Sequence, residues 1–148
     1  IQHAGLQDLF EGKGEYGQIT FLAPSNLAIM TYMFNNNFRR VNEIPAAECR
    51  RLLEKLIIPQ RILTSDVPRG SRSEATGEKT GGKTYTLMDG SEAFLWTFQE
   101  SYLGVGNAGA VHLWFFIEKF ATSRRIYSSN IQTENGVVQA LGHDFLFE

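Results

Sequence analysis

The residues best suited to chemistry lie in Gly77-Glu78-Lys79-Thr80-Gly81-Gly82-Lys83-Thr84, which fits the pattern G-x-x-x-x-G-K-[ST]. In that pattern backbone N–H groups cradle phosphates, the lysine reaches the terminal ones and the hydroxyl holds a magnesium ion. Further on, Leu113-Trp114-Phe115-Phe116-Ile117-Glu118 imitates an apolar strand ending in a carboxylate. Together they would make a nucleotide hydrolase. A phosphate loop works only when a buried strand enters it and a helix leaves it, with the helix N-terminus aimed at the anion. Here Arg69 to Thr76 is polar, and Thr84 to Met88 is made of β-formers that run into Asp89-Gly90. The nucleotide reading is therefore kept only as a weak alternative.

Other catalytic patterns are absent from the sequence. His3, His112 and His143 are far apart and lack metal-ligand spacing, and there is no H-E-x-x-H, no paired-cysteine motif and no G-x-S-x-G elbow. His112 lies in an apolar strand and reads as a hydrogen-bonded strand residue. The single cysteine, Cys49, sits on an apolar helical stripe and reads as a small buried hydrophobe. The chain is expected to be no enzyme and to need no cofactor or metal.

Elements that would position any site follow from periodicity. Ala4 to Phe10 reads as the end of a helix, broken by Glu11-Gly12-Lys13-Gly14. Gln18 to Ala23 reads as a strand with Ile19 and Phe21 on one face. Pro24-Ser25-Asn26 ends it and starts a helix that a Ser or Asn oxygen can cap, running to Asn35-Asn36-Asn37. After Ile44-Pro45, the spacing of Cys49, Leu52, Leu53, Leu56 and Ile57 predicts one helix, ended by Pro59. Strands are predicted at Arg61 to Ser65, Thr84 to Met88, Ala93 to Phe98, Ala110 to Phe120, Arg124 to Ser129 and Val137 to Leu141. Arg69 to Lys83 is glycine-rich without a large apolar residue, and reads as a loop. Helices in the first half and strands in the second favour an α+β fold.

The chain has 148 residues, which points to one domain spanning 1–148. Its formal net charge of -2 argues against nucleic acid as a main partner. No apolar run approaches the ~20 residues a spanning helix needs, so direct membrane insertion by this segment is not expected. There is no N-x-[ST] sequon, and one cysteine leaves the redox compartment unread. The chain begins at Ile1, so it is expected to be a domain excised from a longer protein.

Two segments flanking the β region resemble the signatures of the fasciclin domain family. Ile19-Thr20-Phe21-Leu22-Ala23-Pro24-Ser25-Asn26-Leu27-Ala28-Ile29 is similar to the family's Thr-x-Phe-Ala-Pro-Thr-Asn-x-Ala-Phe run. Ser129-Asn130-Ile131-Gln132-Thr133-Glu134-Asn135-Gly136-Val137-Val138-Gln139-Ala140-Leu141 resembles its Asn-Gly-Val-Val-His-x-Ile run, in a style similar to bacterial surface lipoproteins. Between them, Leu52 to Pro59 resembles the family's helix and apolar-Pro turn. Phe21, Pro24, Ser25, Asn26, Pro59, Asn130, Asn135, Gly136, Val137 and Val138 carry the resemblance, and their physics is structural. Asn135-Gly136 is read as a tight turn needing a positive φ. The chain departs from the family at Lys55 and Leu56, where members often have the Tyr-His tied to integrin-type adhesion, and at Gln139, where they have His.

The resemblance implies helices packed on a β-sandwich or wedge formed mainly by the C-terminal half. It implies a non-catalytic extracellular or cell-surface adhesion domain, anchored through another part of the chain. Its partner would be a glycan or a cell-surface or matrix protein, with adjacent domains of the same chain beside it. The alternative is a structural spacer. By alternation Phe94, Trp96 and Phe98 share one strand face, and His112, Trp114, Phe116 and Glu118 share another. One face is expected to be core. If the other is exposed its rings could stack on sugars or seat a protein, so the candidate ligand-binding residues are Trp96, Trp114, His112 and Phe116.

Overall fold

The computed structural model describes residues 1–13, 17–118 and 122–147. Three helices, α1 (Gln7–Phe10), α2 (Asn26–Asn35) and α3 (Ala46–Glu54), precede most of the strands. The strands are β1 (Ile19–Ala23), β2 (Ile57–Ile58), β3 (Gly70–Arg72), β4 (Lys79–Gly81), β5 (Lys83–Thr86), β6 (Glu92–Gln99), β7 (Val111–Ile117), β8 (Arg124–Thr133) and β9 (Gly136–Leu141). The fold is thus mixed α and β, and two strands of the helical half, β1 and β2, join the sheet.

Seven strands form one sheet in the order β2-β1-β9-β8-β7-β6-β5, and β3-β4 form a separate hairpin. All pairings are antiparallel except β1 with β9. The long strand β8 changes partner along its length. Its Arg124 and Arg125 pair with β7, and Ile126 to Thr133 pair with β9 through two register shifts. Such shifts bend a strand and sharpen its twist. The sheet therefore curls until residues from both of its ends meet. Ile58 on β2 and Tyr85 on β5 belong to one buried cluster with Leu22, Leu95, Leu113, Phe115 and Phe145.

Sequence signals hold at most corners. Ser25 caps α2 by accepting from the Ala28 N–H at 3.3 Å, while Asn26 is its exposed first residue. Asn37, with φ 60°, ends the turn after that helix. Gly90, with φ 87°, makes the turn between β5 and β6, where Leu87 N–H donates to the Ser91 carbonyl at 2.7 Å.

Three expectations change. The helix after Pro45 stops at Glu54, so Leu56 lies beyond it and Ile57 and Ile58 form β2, with Pro59 following the strand. An apolar run this short satisfies helical and strand periodicity equally. Arg61 to Ser65 is no strand. Side-chain oxygens take its N–H groups: Ile62 donates to Thr20 Oγ1 (2.8 Å), Leu63 to Asp66 Oδ2 (2.9 Å) and Thr64 to Asn130 Oδ1 (2.8 Å). Arg69 to Lys83 is no open loop, since it contains the β3–β4 hairpin.

Candidate functional site

The motif at Gly77 to Thr84 has none of the geometry of a phosphate loop. Lys79–Gly81 is β4, Lys83 opens β5, and no helix follows. The Lys83 ammonium lies 5.2 Å from the centre of the Tyr85 ring. Among the described residues no group of three or more His, Cys, Asp or Glu side chains could hold a metal.

The β6–β7 pairing decides the position of the aromatic residues. Its register sets Phe94 opposite Phe116, Trp96 opposite Trp114 and Phe98 opposite His112. The two aromatic rows, expected on separate faces, thus share a single one. The opposite face carries Ala93, Leu95, Leu113, Phe115 and Ile117 into the main core. Alternation along one strand specifies its own two faces, but only the pairing register relates them to the next strand.

On this outer face the rings stack in a row. Phe94 and Trp96 lie 5.1 Å apart at 28°, and Trp96 and Trp114 lie 6.1 Å apart at 14°. Phe94, Trp96 and Phe116 are buried, Trp114 is half-buried, and Phe98 is 52 % exposed. The cover is the β3–β4 hairpin. The guanidinium carbon of Arg72 sits 3.5 Å above the centre of Phe116, and the Lys79 ammonium lies 5.5 Å from Phe94 and 5.8 Å from Phe116. Cations over ring faces gain from the ring quadrupole. This lets a hairpin without large apolar side chains close an aromatic surface.

Hydrogen bonds fix the hairpin. Thr97 N–H donates to the Pro68 carbonyl and its hydroxyl to the Val67 carbonyl, both at 3.1 Å, and Gly82 N–H donates to the Arg69 carbonyl at 2.9 Å. Gly82, at φ 60°, lets the chain lie directly on Phe94, since a Cβ there would come within 2.7 Å of ring atoms. Glycine in this segment serves close approach as well as bending.

The hairpin covers only one end of the face. Beside it an open groove of about 330 Å³ runs between Trp96, Phe98 and Trp114 on one side and Ser71, Arg72, Glu74 and Ser123 on the other. Arg72 and Glu74 pair at 3.1 Å, and Glu74 also accepts from the Ser123 N–H at 3.1 Å. These bonds, those from Ser123 first, hold the Glu74 carboxyl below the usual carboxylate range. The buried Arg72 Nε has no acceptor among the described residues.

The structure brings Trp96 and Trp114 together at the groove and places Phe116 beneath Arg72. His112 stands aside, its Nε2 3.2 Å from Glu100 Oε1. Sequence reasoning missed Arg72, Glu74 and Ser123, because their proximity depends on the hairpin and on the chain beyond β7. The turn that Gly104, Gly106, Asn107 and Gly109 mark in the sequence lies at the tip of β6–β7, and its exposed apolar residues are what sequence reasoning missed. Tyr102 and Val105 exchange two 2.9 Å backbone bonds there, and Leu103 is 85 % exposed at φ 50°.

The signature residues lie elsewhere, in the frame. Phe21 packs edge-to-face on Phe10 at 5.0 Å. Asn130, at φ 58°, accepts from Thr64 N–H (2.8 Å), Thr64 Oγ1 (3.0 Å) and Gln139 Nε2 (3.2 Å). Gln139, fully buried where the family has His, accepts from Asn130 N–H at 2.8 Å and donates to the Ile62 carbonyl at 3.2 Å. Asn135 donates to the Phe10 carbonyl at 3.3 Å. Gly136 has the expected positive φ, 157°, and also meets a close approach: a Cβ there would lie 2.0 Å from the Ile19 carbonyl oxygen of the parallel neighbour β1. Val137 is buried and Val138 half-buried beside it.

Comparison with known proteins agrees with this frame. No curated protein sequence matches the chain. Among solved structures it is similar to a FAS1 domain pair from the insect cell adhesion molecule fasciclin I, with a TM-score of 0.54 and 14 % identity. The match covers 97 % of this chain and 45 % of that one, so the chain spans under half of the matched protein's length. At this identity the likeness speaks for the fold alone. Fasciclin domains are generally extracellular domains of cell adhesion. The model of the fasciclin domain matches residues 1–143, and with β1, β9 and their signature residues placed as described, the chain belongs to the fasciclin domain family.

Proposed function

We propose that the chain is a non-catalytic adhesion domain, acting outside the cell or at its surface and recognising a glycan or protein partner through the outer face of β6–β7. The observation that carries this reading is the open groove in which half-buried Trp114 stacks beside Trp96. Aromatic rings at a surface supply large contact area at low entropic cost. A net charge of -2 gives nucleic acid no electrostatic footing. Membership of an adhesion family supports the surface location. The resemblance of the last box to bacterial surface lipoproteins supports anchoring through another part of the chain, next to adjacent domains. No described helix is long and apolar enough to cross a membrane.

A spacer role is the second reading. It is favoured by Phe94 and Phe116, whose faces are already taken by Lys79 and Arg72. An array of glycans and matrix proteins, read together with thermal shift and with ATP as a control, separates the two. A ligand that raises the melting temperature, and loses this effect in Trp114→Ala, supports recognition, since binding only the folded state stabilises it. A stable fold with a blank array supports the spacer.

A further inference from the structure

The groove has a chemical character that goes further than adhesion in general. Its apolar side is flat: two indole rings lie within 14° of parallel with centres 6.1 Å apart, and Phe98 extends the edge. Its opposite side is polar and short-armed, with the hydroxyls of Ser71 and Ser123, the Arg72 guanidinium and the Glu74 carboxylate. A protein anchor would ask for a deep apolar pocket. This groove is open and shallow, with hydrogen-bonding groups along a full side. At about 330 Å³ it lies at the small end of ligand sites, which run to roughly 300–1,000 Å³.

Charge narrows the ligand further. Among the described residues the groove's lining holds one base and one acid, which pair at 3.1 Å, so the described lining carries no net charge. An anionic ligand would have to compete with Glu74 for Arg72, whose side chain is only 10 % exposed. A neutral ligand need not break the pair. Glu74 is half-exposed and accepts from Arg72, from Ser123 N–H and from the Ser123 hydroxyl, while a carboxylate offers about four lone-pair sites. It keeps capacity for adjacent hydroxyls.

Resting on the adhesion reading above, we propose that this groove binds a neutral sugar ring of a surface glycan, its C–H face on Trp114 and its hydroxyls on Glu74 and the two serines. The ligand is a short stretch of neutral hexose or N-acetylhexosamine. One stacked ring in an open groove gives affinity on the order of millimolar, so useful adhesion requires several domains or repeated sugars.

The protein provides its own reporter, because its two tryptophans, Trp96 and Trp114, both line the groove. The 148-residue chain is titrated with a panel of neutral α- and β-linked hexose and N-acetylhexosamine oligosaccharides, read by tryptophan emission and ligand-observed NMR. Uronic-acid and sulfated oligosaccharides and a set of matrix proteins run in parallel. The expected result is saturable binding of a neutral oligosaccharide, changed less than about two-fold between 50 and 500 mM salt because no ion pair forms. Trp114→Ala and Glu74→Gln should each weaken it about ten-fold or more, and circular dichroism confirms that Glu74→Gln stays folded. Binding of only the charged sugars, with steep salt dependence, overturns the neutral assignment. A matrix protein bound through Trp114 with every sugar silent also overturns it, yet leaves the adhesion reading standing. Silence from all classes removes both.

Discussion

Leu95 and Trp96 are neighbours in sequence and belong to two differently built surfaces. Leu95 faces the inside of the curled sheet, where strands from both ends of the sheet and Phe145 close on it. Trp96 faces outward, where its cover is a hairpin of two three-residue strands held by backbone bonds and by cations over rings. The inner face is sealed all round, so its side chains answer only to packing. The outer face is sealed at Phe94 and Phe116 and open at Trp114 and Phe98. A face closed at one end keeps its shape while presenting rings to solvent. That combination separates the outer face from a second core.

Truncating each surface in turn should separate the two most strongly. Phe115→Ala, on the sealed side, is expected to cost about 3–5 kcal/mol in denaturant unfolding. Trp96→Ala, beneath part of the cover, should cost about 2–4 kcal/mol, and Trp114→Ala at the open end no more than about 1 kcal/mol. Equal losses at Trp114 and Phe115 would mean that the outer face is core after all.

Next in size is the cover. Gly82→Ala puts a Cβ within 2.7 Å of the Phe94 ring and the Leu95 carbonyl oxygen, at a backbone φ of 60° that resists side chains. The expected loss is about 1–3 kcal/mol, with tryptophan emission shifting to the red as the hairpin lifts. A loss without a change in emission would separate the hairpin from the ring stack.

Titration tests a smaller buried cluster, that of Tyr32, Ile44 and Leu52. Glu48 accepts from the Tyr32 hydroxyl at 2.7 Å and from Arg51 Nε at 3.0 Å. Arg51 first, then Tyr32, holds the Glu48 carboxyl down to about 2, against an ordinary 4.5. Burial first, then Glu48, pushes the Tyr32 hydroxyl up to about 12, against an ordinary 10.0. A lowered acid stabilises the fold above its ordinary value, so the Glu48 contribution is present above pH 4.5 and fades as pH falls toward about 2. A raised phenol stabilises below its ordinary value, so the Tyr32 contribution is complete below pH 10.0 and is lost as pH rises through about 12. Because the Glu48 side chain is 31 % exposed, solvent screening holds its contribution to about 1 kcal/mol or less. Glu48→Gln should flatten the acid limb of the melting curve and leave tryptophan emission unchanged.

The smallest effect is a gain. Leu103 is mostly exposed at φ 50°, where a leucine is strained. Leu103→Gly should raise stability by about 0.5–1 kcal/mol, with the stability of both faces of β6–β7 otherwise unaltered.

Much of the frame was legible before any coordinates. The Ser25 cap, the turn at Gly90, the alternation in β6 and β7 and the fasciclin boxes are local signals, each decided by a few neighbouring residues. Gly136 was legible as a glycine needing a positive φ, and its φ is 157°, but the approach of the Ile19 carbonyl is invisible from position 136. The stretch after Ile58 misled for a similar cause. Its residues look like a strand, but their backbone donors go to Asp66 three residues on from Leu63 and to Thr20 and Asn130, which arrive from other parts of the chain.

The candidate site shows the same division. Residue types and alternation determined by themselves that Trp96 and Trp114 each stand on an aromatic strand face, since side chains along a strand point to opposite sides in turn. That the two faces are one was decided by the β6–β7 register. That a polar, glycine-rich stretch covers one end was decided by cations finding rings, and that Glu74 meets Ser123 was decided by the meeting of two distant segments. Local sequence fixes what a residue prefers within a few neighbours. A groove is made of residues far apart in the chain, and the packing energy of the whole domain settles which of them meet.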